Sequence, residues 1–167
     1  SAFPASFPHS VAPGEAKWLV PNKEIQISLL QKRFTGGFNG VTPYSVLNWG
    51  ASPKRKSFRD ANQSYITLYG DSRKFGFLPP RGKYFKLKTD DGYLLDCSVQ
   101  QEADKSDPRI GKAIASNPND QLGIYLRKRL GVPSGHIITT DDLTDYGRTD
   151  FILKKLDKNE FLFDFHV

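Results

Sequence analysis

The chain has 167 residues, a length typical of one domain that can bury a full hydrophobic core. Hydrophobic residues make up 38% of it, charged residues 25% and aromatic residues 13%, which excludes a disordered or fibrous protein. One cysteine, no long apolar run and a net charge of +6 argue against internal disulfides and a membrane span and favour a polyanionic partner. We therefore expect a cytoplasmic protein without a metal or cofactor.

The positive charge is concentrated in the middle of the chain. Between Gln31 and Arg129 there are 18 lysines and arginines against nine aspartates and glutamates. The first 30 residues balance, and the segment from Leu130 to Val167 carries more acids than bases. A basic segment within an otherwise balanced chain indicates a nucleic-acid partner more directly than the total charge does.

The first 14 residues contain three prolines among small residues, a composition typical of a linker or extended tail. We expect a linker at 1–14 and one domain at 15–167. Because the chain also lacks methionine, we expect it to be a fragment of a longer protein in which another domain precedes it.

Period-two patterns predict strands after the linker. Ile25, Ile27 and Leu29 alternate with polar residues, as in a half-buried strand. The segment from Tyr65 to Tyr69 is rich in aromatic and β-branched residues that favour strands.

Two hairpins follow from the same kind of pattern. Lys83 to Thr89 alternates apolar and basic residues, and an Asp-Asp-Gly turn leads into Tyr93 to Val99, whose single cysteine shares the apolar face. Phe151 to Leu156 and Phe161 to Phe165 flank a second turn, with the three phenylalanines of the last segment predicted to face the core.

Two short helices are predicted. Asn119 to Leu130 has leucines at four-residue spacing and ends at Gly131, and its basic run Arg127–Arg129 is interpreted as a helix end on the solvated surface. Thr140 to Tyr146 follows the capping residue Thr139. Short strands, hairpins and two helices together predict a mainly β protein built as an antiparallel barrel with helices at its ends.

No segment carries a convincing catalytic or metal site. The three histidines lack the His-x-Lys pattern of phospholipase-D-like nucleases. Glu15-Ala16-Lys17 has the spacing of a restriction-nuclease motif but no acid upstream, and it adjoins the tail. Helix capping explains the acids near the second helix better than a cation site does. These acids are Asp141, Asp142, Asp145 and Asp150. A stand-alone metal-dependent nuclease using either group remains the alternative hypothesis.

Two segments combine charge with groups that can bind base edges, and each is predicted to form an arm. The first arm contains many glycines and prolines, so it cannot be a regular core element. Its candidate DNA contacts are Gln31, Lys32, Arg33, Asn48, Trp49, Ser52, Lys54, Arg55, Lys56 and Arg59. Arginine can bind guanine, Asn or Gln can bind adenine, and lysine neutralises phosphate. Trp49 alone is better explained by packing, because large aromatic side chains usually anchor structure.

The second arm is shorter and of mixed charge, which suits base recognition as well as a neutral loop. Its candidate contacts are Gln100, Gln101, Lys105, Asp107, Arg109 and Lys112. A different hypothesis, binding of single-stranded nucleic acid, uses aromatic residues as stacking platforms. These are Tyr44, Trp49, Phe58 and Tyr65.

Six short strings occur in a characteristic order: Leu47–Gly50, Ala61–Ile66, Phe77–Gly82, Thr89–Gly92, Leu126–Gly131 and Asp145–Asp150. In this the chain resembles the C-terminal domain of NgoFVII/NgoAVII-type restriction endonucleases, which is related to the DNA-binding half of BfiI. The resemblance implies a DNA-binding pseudobarrel of the B-three type, shared with the EcoRII N-terminal domain. Such a domain is a seven-stranded open barrel whose two arms grip the major groove of double-stranded DNA.

The resemblance also implies a division of labour in the parent enzyme. This chain would recognise a specific DNA sequence and carry no catalytic residue. A phospholipase-D-like nuclease domain would precede it, as expected from the proline-rich linker. Some relatives work with an ATP-dependent partner protein, so such a partner is a further possibility for the parent restriction-modification system.

Overall fold

The computed structural model describes residues 3–6, 24–32, 37–54, 59–73 and 76–167. Their ten strands are β1 (Ala5–Ser6), β2 (Glu24–Ser28), β3 (Gln31–Lys32), β4 (Phe38–Gly40), β5 (Tyr65–Thr67), β6 (Tyr84–Thr89), β7 (Tyr93–Asp104), β8 (Asp107–Ser116), β9 (Asp150–Asp157) and β10 (Glu160–Asp164). The helices are α1 (Gln121–Leu130) and α2 (Thr140–Tyr146), and Val46–Asn48 and Gly70–Arg73 form short 3-10 helices. None of the described helices is long and apolar enough to span a bilayer.

Seven strands form one curled, open sheet in the order β2-β9-β10-β6-β7-β8-β5. All neighbours in it are antiparallel except β10 and β6, which pair in parallel with Phe161 opposite Leu87. The pairing of β3 with β4 is separate from this sheet. The predicted mainly β, seven-stranded open barrel with two short helices is confirmed.

Residues 3–6 lie in the predicted linker, and two of them form β1 on the edge of β7 opposite Tyr93 and Leu94. The Phe3 ring packs edge-on against the Tyr93 ring at 4.6 Å. Residues 7–23, which hold the rest of the predicted linker and the Glu15-Ala16-Lys17 motif, lie outside the described residues.

The core lies on the concave side of the sheet and contains apolar side chains from both predicted hairpins. Phe161, Phe163 and Phe165 are buried, as their spacing predicts, and Phe163 stacks on Phe151 at 4.3 Å. Leu162 and Asp164, on the opposite face of β10, are buried too. Cys97 is fully buried, and its burial raises the pKa of the thiol far above its usual value.

The end of α1 and the start of α2 lie where the sequence predicts. Gly131 adopts a left-handed conformation at the end of α1, and its N–H bonds to carbonyls of the last turn. Thr139 and Asp142 form a complete capping box at the start of α2. Leu122, Tyr125 and Leu126 of α1 are buried in the core, and α1 contacts both β8 and α2.

Candidate nucleic-acid interface

The second arm is the outer part of the β7–β8 hairpin, from Gln100 to Lys112. The ladder continues to Asp104 opposite Asp107 and turns at Lys105 and Ser106. The strand therefore extends well beyond Val99, where the apolar alternation ends. Within this ladder Gln101 adopts a left-handed conformation with φ of 62°, which is uncommon for a residue with a side chain.

Hydrogen bonds from two other segments hold the β8 strand of this arm. The N–H of Leu68 donates to the carbonyl of Lys112 at 2.9 Å. Arg81 donates from its backbone N–H to the carbonyl of Arg109 at 2.7 Å and from Nε to that of Pro108 at 2.8 Å. The arm is thus fixed by its neighbours rather than only by its own ladder.

Arg109 and Asp107 form a two-point ion pair on the exposed side of the second arm. Nε and Nη2 of Arg109 each lie 2.8 Å from one carboxylate oxygen of Asp107. The hydrogen bonds from Arg109 lower the pKa of Asp107, and the bonded carboxylate raises the pKa of Arg109. The pair holds the guanidinium plane in one orientation, although the arginine side chain remains 60% exposed.

The other predicted contacts of this arm differ in exposure. Gln101, Lys105 and Lys112 are exposed. Gln100 is half-buried, and its Nε2 donates to Oγ of Ser98 at 2.6 Å.

The first arm begins with the β3–β4 hairpin and continues through the loop to residue 59. Gln31 and Lys32 are exposed on β3. The backbone N–H of Lys32 lies 3.5 Å from the hydroxyl of Tyr69, and its ammonium lies 5.6 Å from the centre of the Tyr69 ring. Three predicted contacts, Arg33, Arg55 and Lys56, lie outside the described residues, as does Phe58.

The two arms contact adjacent residues of the barrel. Leu68 bonds to the second arm through Lys112, and Tyr69 contacts the first arm through Lys32. Both arms therefore join the barrel at the two residues that follow β5. This brings together two stretches that are far apart in the sequence.

Aromatic rings hold the cations of the first arm. The ammonium of Lys54 lies 4.9 Å from the centre of the Tyr44 ring, and both side chains are exposed. The guanidinium of Arg59 lies 4.6 Å from the half-buried Trp49 ring, which packs edge-on against Tyr65 at 5.9 Å. Trp49 is thus a packing residue, as the sequence favoured, and it also carries a cation.

Two predicted contacts of the first arm point into the protein. Asn48 is fully buried, and its amide bonds to the carbonyls of Thr42 and Ile138 and to the N–H of Ile138. Ser52 is buried as well. Asn48 therefore attaches the first arm to the segment before α2, and its amide has no group left for a base in this structure.

A shallow floor lies between the arms on the outer face of the sheet. Strand register places Tyr65, Ala115, Ser98 and Tyr84 side by side across β5, β8, β7 and β6. The two small central side chains leave a depression of about 340 Å³ with Gln100 and Gln101 at its edge. Sequence reasoning missed this floor, although the small residues alternating with Ile114 were a signal for it.

Two of the three basic residues at the end of α1 are not on the solvated surface. Arg127 is only 1% exposed, and it donates to the carbonyl of His136 and to groups of Asn62, Ser64 and Gly123. Its burial lowers the pKa of the guanidinium to about 10. The solvated-face interpretation is wrong here because the fold brings Asn62 and Ser64, which are distant in the sequence, next to this side chain.

Arg129 is partly buried, with its side chain 9% exposed, and its Nη2 lies 2.6 Å from the carboxylate of Asp90. Of the three basic residues, Lys128 alone is exposed, with its ammonium 5.0 Å from the centre of the Phe3 ring. The solvated-face interpretation is therefore wrong for Arg129 too.

Two of the acidic residues considered for catalysis, Asp142 and Asp150, have structural partners. Asp142 caps α2 and accepts from Nε2 of His136 at 2.8 Å, and Asp150 accepts from Nε of Arg148 at 2.8 Å. In the part of the chain that the structure describes, a group with metal-ligand spacing joins Asp90, Asp164 and His166. Its carboxylates already pair with Arg129 and Lys154, so cationic side chains neutralise the charge there.

Comparison with protein families gives one match. Residues 19–157 match the family model described as the NgoFVII C-terminal B3-like DNA-binding domain. Comparison with curated proteins found no match. The matched segment includes both arms, the floor between them and α1.

Proposed function

The chain belongs to the family of NgoFVII C-terminal B3-like DNA-binding domains, and we propose that it recognises a specific sequence in double-stranded DNA by gripping the major groove with its two arms. The observation that carries this proposal is that both arms leave the barrel beside Leu68 and Tyr69. The major groove is about 12 Å wide and admits a two-stranded β ribbon, which is the form of the second arm.

The second arm supplies the base-reading part of the proposal. A guanidinium can donate two hydrogen bonds to O6 and N7 of guanine, provided that its plane is held in place. Asp107 holds Arg109 in this way while leaving it exposed. Gln100 and Gln101 stand where the arm joins the floor and could bind adenine edges.

The first arm and the flanking lysines supply contacts to the DNA backbone. Lys32 and Lys54 are exposed and lie over tyrosine rings, which restricts their motion. Lys105 and Lys112 extend the same charge along the second arm. We include Gln31, Arg33, Arg55, Lys56 and Arg59 in this proposal as further contacts of the first arm, and we leave out the buried Asn48 and Ser52.

We further propose that the chain is the target-recognition part of a restriction endonuclease and carries no catalytic residue itself. The partners of Asp142 and Asp150 support the second point, because both carboxylates are engaged in capping or ion pairing. A nuclease domain in the same parent chain, an ATP-dependent partner protein and a cytoplasmic location all remain predictions.

The experiment is a selection from randomised duplexes, followed by gel-shift titration of the selected duplex and a scrambled one over a range of salt concentrations. We expect both affinities to fall steeply with salt, because neutralised phosphates release counterions, while the preference for the selected duplex persists. Equal affinity for every duplex would contradict sequence-specific recognition. Tighter binding of single-stranded DNA in competition would favour the stacking hypothesis, and magnesium-dependent cleavage abolished by Asp142→Ala would favour a nuclease.

A further inference from the structure

A groove of about 520 Å³ lies beside the floor, on the outer side of β6. Lys83, Lys155 and Lys158 line it together with Tyr84, Asn159 and an apolar wall that includes Pro80. No acidic side chain is among the residues that line it. We call it the lysine groove.

Two of these lysines carry charge that the surrounding described residues do not offset. Lys83 and Lys158 are exposed and form no ion pair with any described residue. The neighbouring lysines of β6 differ, because Lys86 pairs with Asp96 and Lys88 pairs with Glu160. The positive charge of this side of the barrel is therefore concentrated at the groove rather than along the strand.

Lys155 has a different role in the same groove. Its ammonium donates to the carbonyl of Gly76 at 2.8 Å and lies 6.0 Å and 5.9 Å from the ring centres of Phe77 and Phe161. Because the ammonium of Lys155 is engaged by these groups, Lys83 and Lys158 are the two other cations lining the groove that can face a ligand. Lysine acts toward phosphate as a point charge on a flexible stem.

The groove is continuous with the proposed interface. The Tyr84 side chain, which is 59% exposed, lines both the lysine groove and the floor between the arms. A duplex that lies on the floor would therefore extend over Tyr84 toward Lys83 and Lys158.

We propose that the lysine groove binds the sugar-phosphate backbone of duplex DNA outside the recognised sequence, so that the footprint of the domain extends beyond its two arms. This inference rests on the proposed function. It assigns Lys83 and Lys158 to phosphates of the flank and the apolar wall to the sugars between them. The contact adds affinity without reading bases.

The test compares two duplexes that carry the same selected sequence. One is trimmed to about one helical turn, roughly 11 base pairs, and the other has random flanks of about one turn on each side. Binding of each is measured over a salt series for the wild type and for the Lys83→Gln/Lys158→Gln double variant. Lys128→Gln is the control for loss of an exposed lysine charge outside the groove, since Lys128 is exposed on α1 beside Phe3 and does not line the groove.

We expect the double variant to bind the long duplex about tenfold more weakly and to lose about 2 from its salt slope, with the short duplex affected little. The control should bind both duplexes nearly as the wild type does. An equal loss on both lengths, or no loss on either, would overturn the proposal, and the second result would leave the groove to an acidic protein partner. Failure of the proposed function would look different, because the wild type itself would then show no preference for the selected sequence.

Discussion

The side-chain amide of Asn48 mimics a strand partner for the backbone of Ile138. Its Nδ2 donates to the carbonyl of Ile138 at 2.9 Å, and its Oδ1 accepts from the N–H of the same residue at 2.7 Å. Both residues are fully buried, so this pair connects the first arm to the segment that precedes α2 without any water in between.

Replacing Asn48 by alanine should destabilise the fold by about 3 kcal/mol, because two buried backbone groups of Ile138 would lose their partners. Urea denaturation measures this loss. The exposed Asn119 provides the control, and Asn119→Ala should change stability by less than about 0.5 kcal/mol. If Asn48→Ala folded with wild-type stability but lost its preference among DNA sequences, Asn48 would be a DNA contact after all.

Truncation of the adjacent residues Arg127 and Lys128 to alanine should have very different effects on stability. Arg127→Ala should cost about 3 kcal/mol, because a large buried side chain would be removed and the carbonyl of His136 would lose its donor. Lys128→Ala should be nearly neutral, since that side chain is exposed. Thermal unfolding of the two variants measures both changes in stability. Similar effects of both changes would restore the view that this run lies on the solvated surface.

Acid should destabilise the protein partly through Asp164. Burial raises the pKa of Asp164, but hydrogen bonds from His166 and Lys154 lower it more, so the pKa lies below its usual value. Stability from this group is therefore full above the unfolded pKa and is lost as the pH falls through the folded one.

We expect Asp164→Asn to be less stable than the wild type at neutral pH and to show a shallower loss of stability below about pH 5. A series of unfolding midpoints against pH measures both effects. Asp145→Asn is the control, because it makes the same change at an aspartate that is exposed on α2. Parallel curves for wild type and Asp164→Asn would show that this carboxylate does not contribute to acid unfolding.

Substitutions in the Asp107–Arg109 pair should change the preference among duplexes differently from the overall affinity for DNA. Arg109→Ala should reduce the preference for the selected duplex over a single-mismatch duplex by about tenfold. Asp107→Asn should also reduce this preference, because the guanidinium is no longer held, yet binding to scrambled DNA should strengthen because a negative charge is removed. Lys105→Gln should weaken binding to all duplexes equally. Competition gel shifts measure the three patterns, and a uniform loss for Arg109→Ala would reassign that residue to the DNA backbone.

Local patterns predicted much of the barrel correctly. The alternation in Tyr93 to Val99 and the spacing of Phe161, Phe163 and Phe165 gave the right faces, because a strand with one side in the core must alternate. Thr139 and Gly131 marked helix ends, because capping depends on residues within a few positions of each other. The strand of the second arm was predicted too short, since the sequence loses its apolar alternation after Val99 although the ladder continues to Asp104.

The sequence by itself therefore determined the hairpins, the helices and the concentration of basic residues between Gln31 and Arg129, all of which depend on neighbours along the chain. The tertiary structure alone decided which of those cations are available to DNA. It buried Arg127 against Asn62 and Ser64, which are distant in the sequence, aligned Tyr65 with Tyr84 across four strands, and placed Lys83 and Lys158 on the same groove. The reason is physical, because the exposure of a charged side chain depends on the acceptors and walls that packing brings to it, and these come from remote segments.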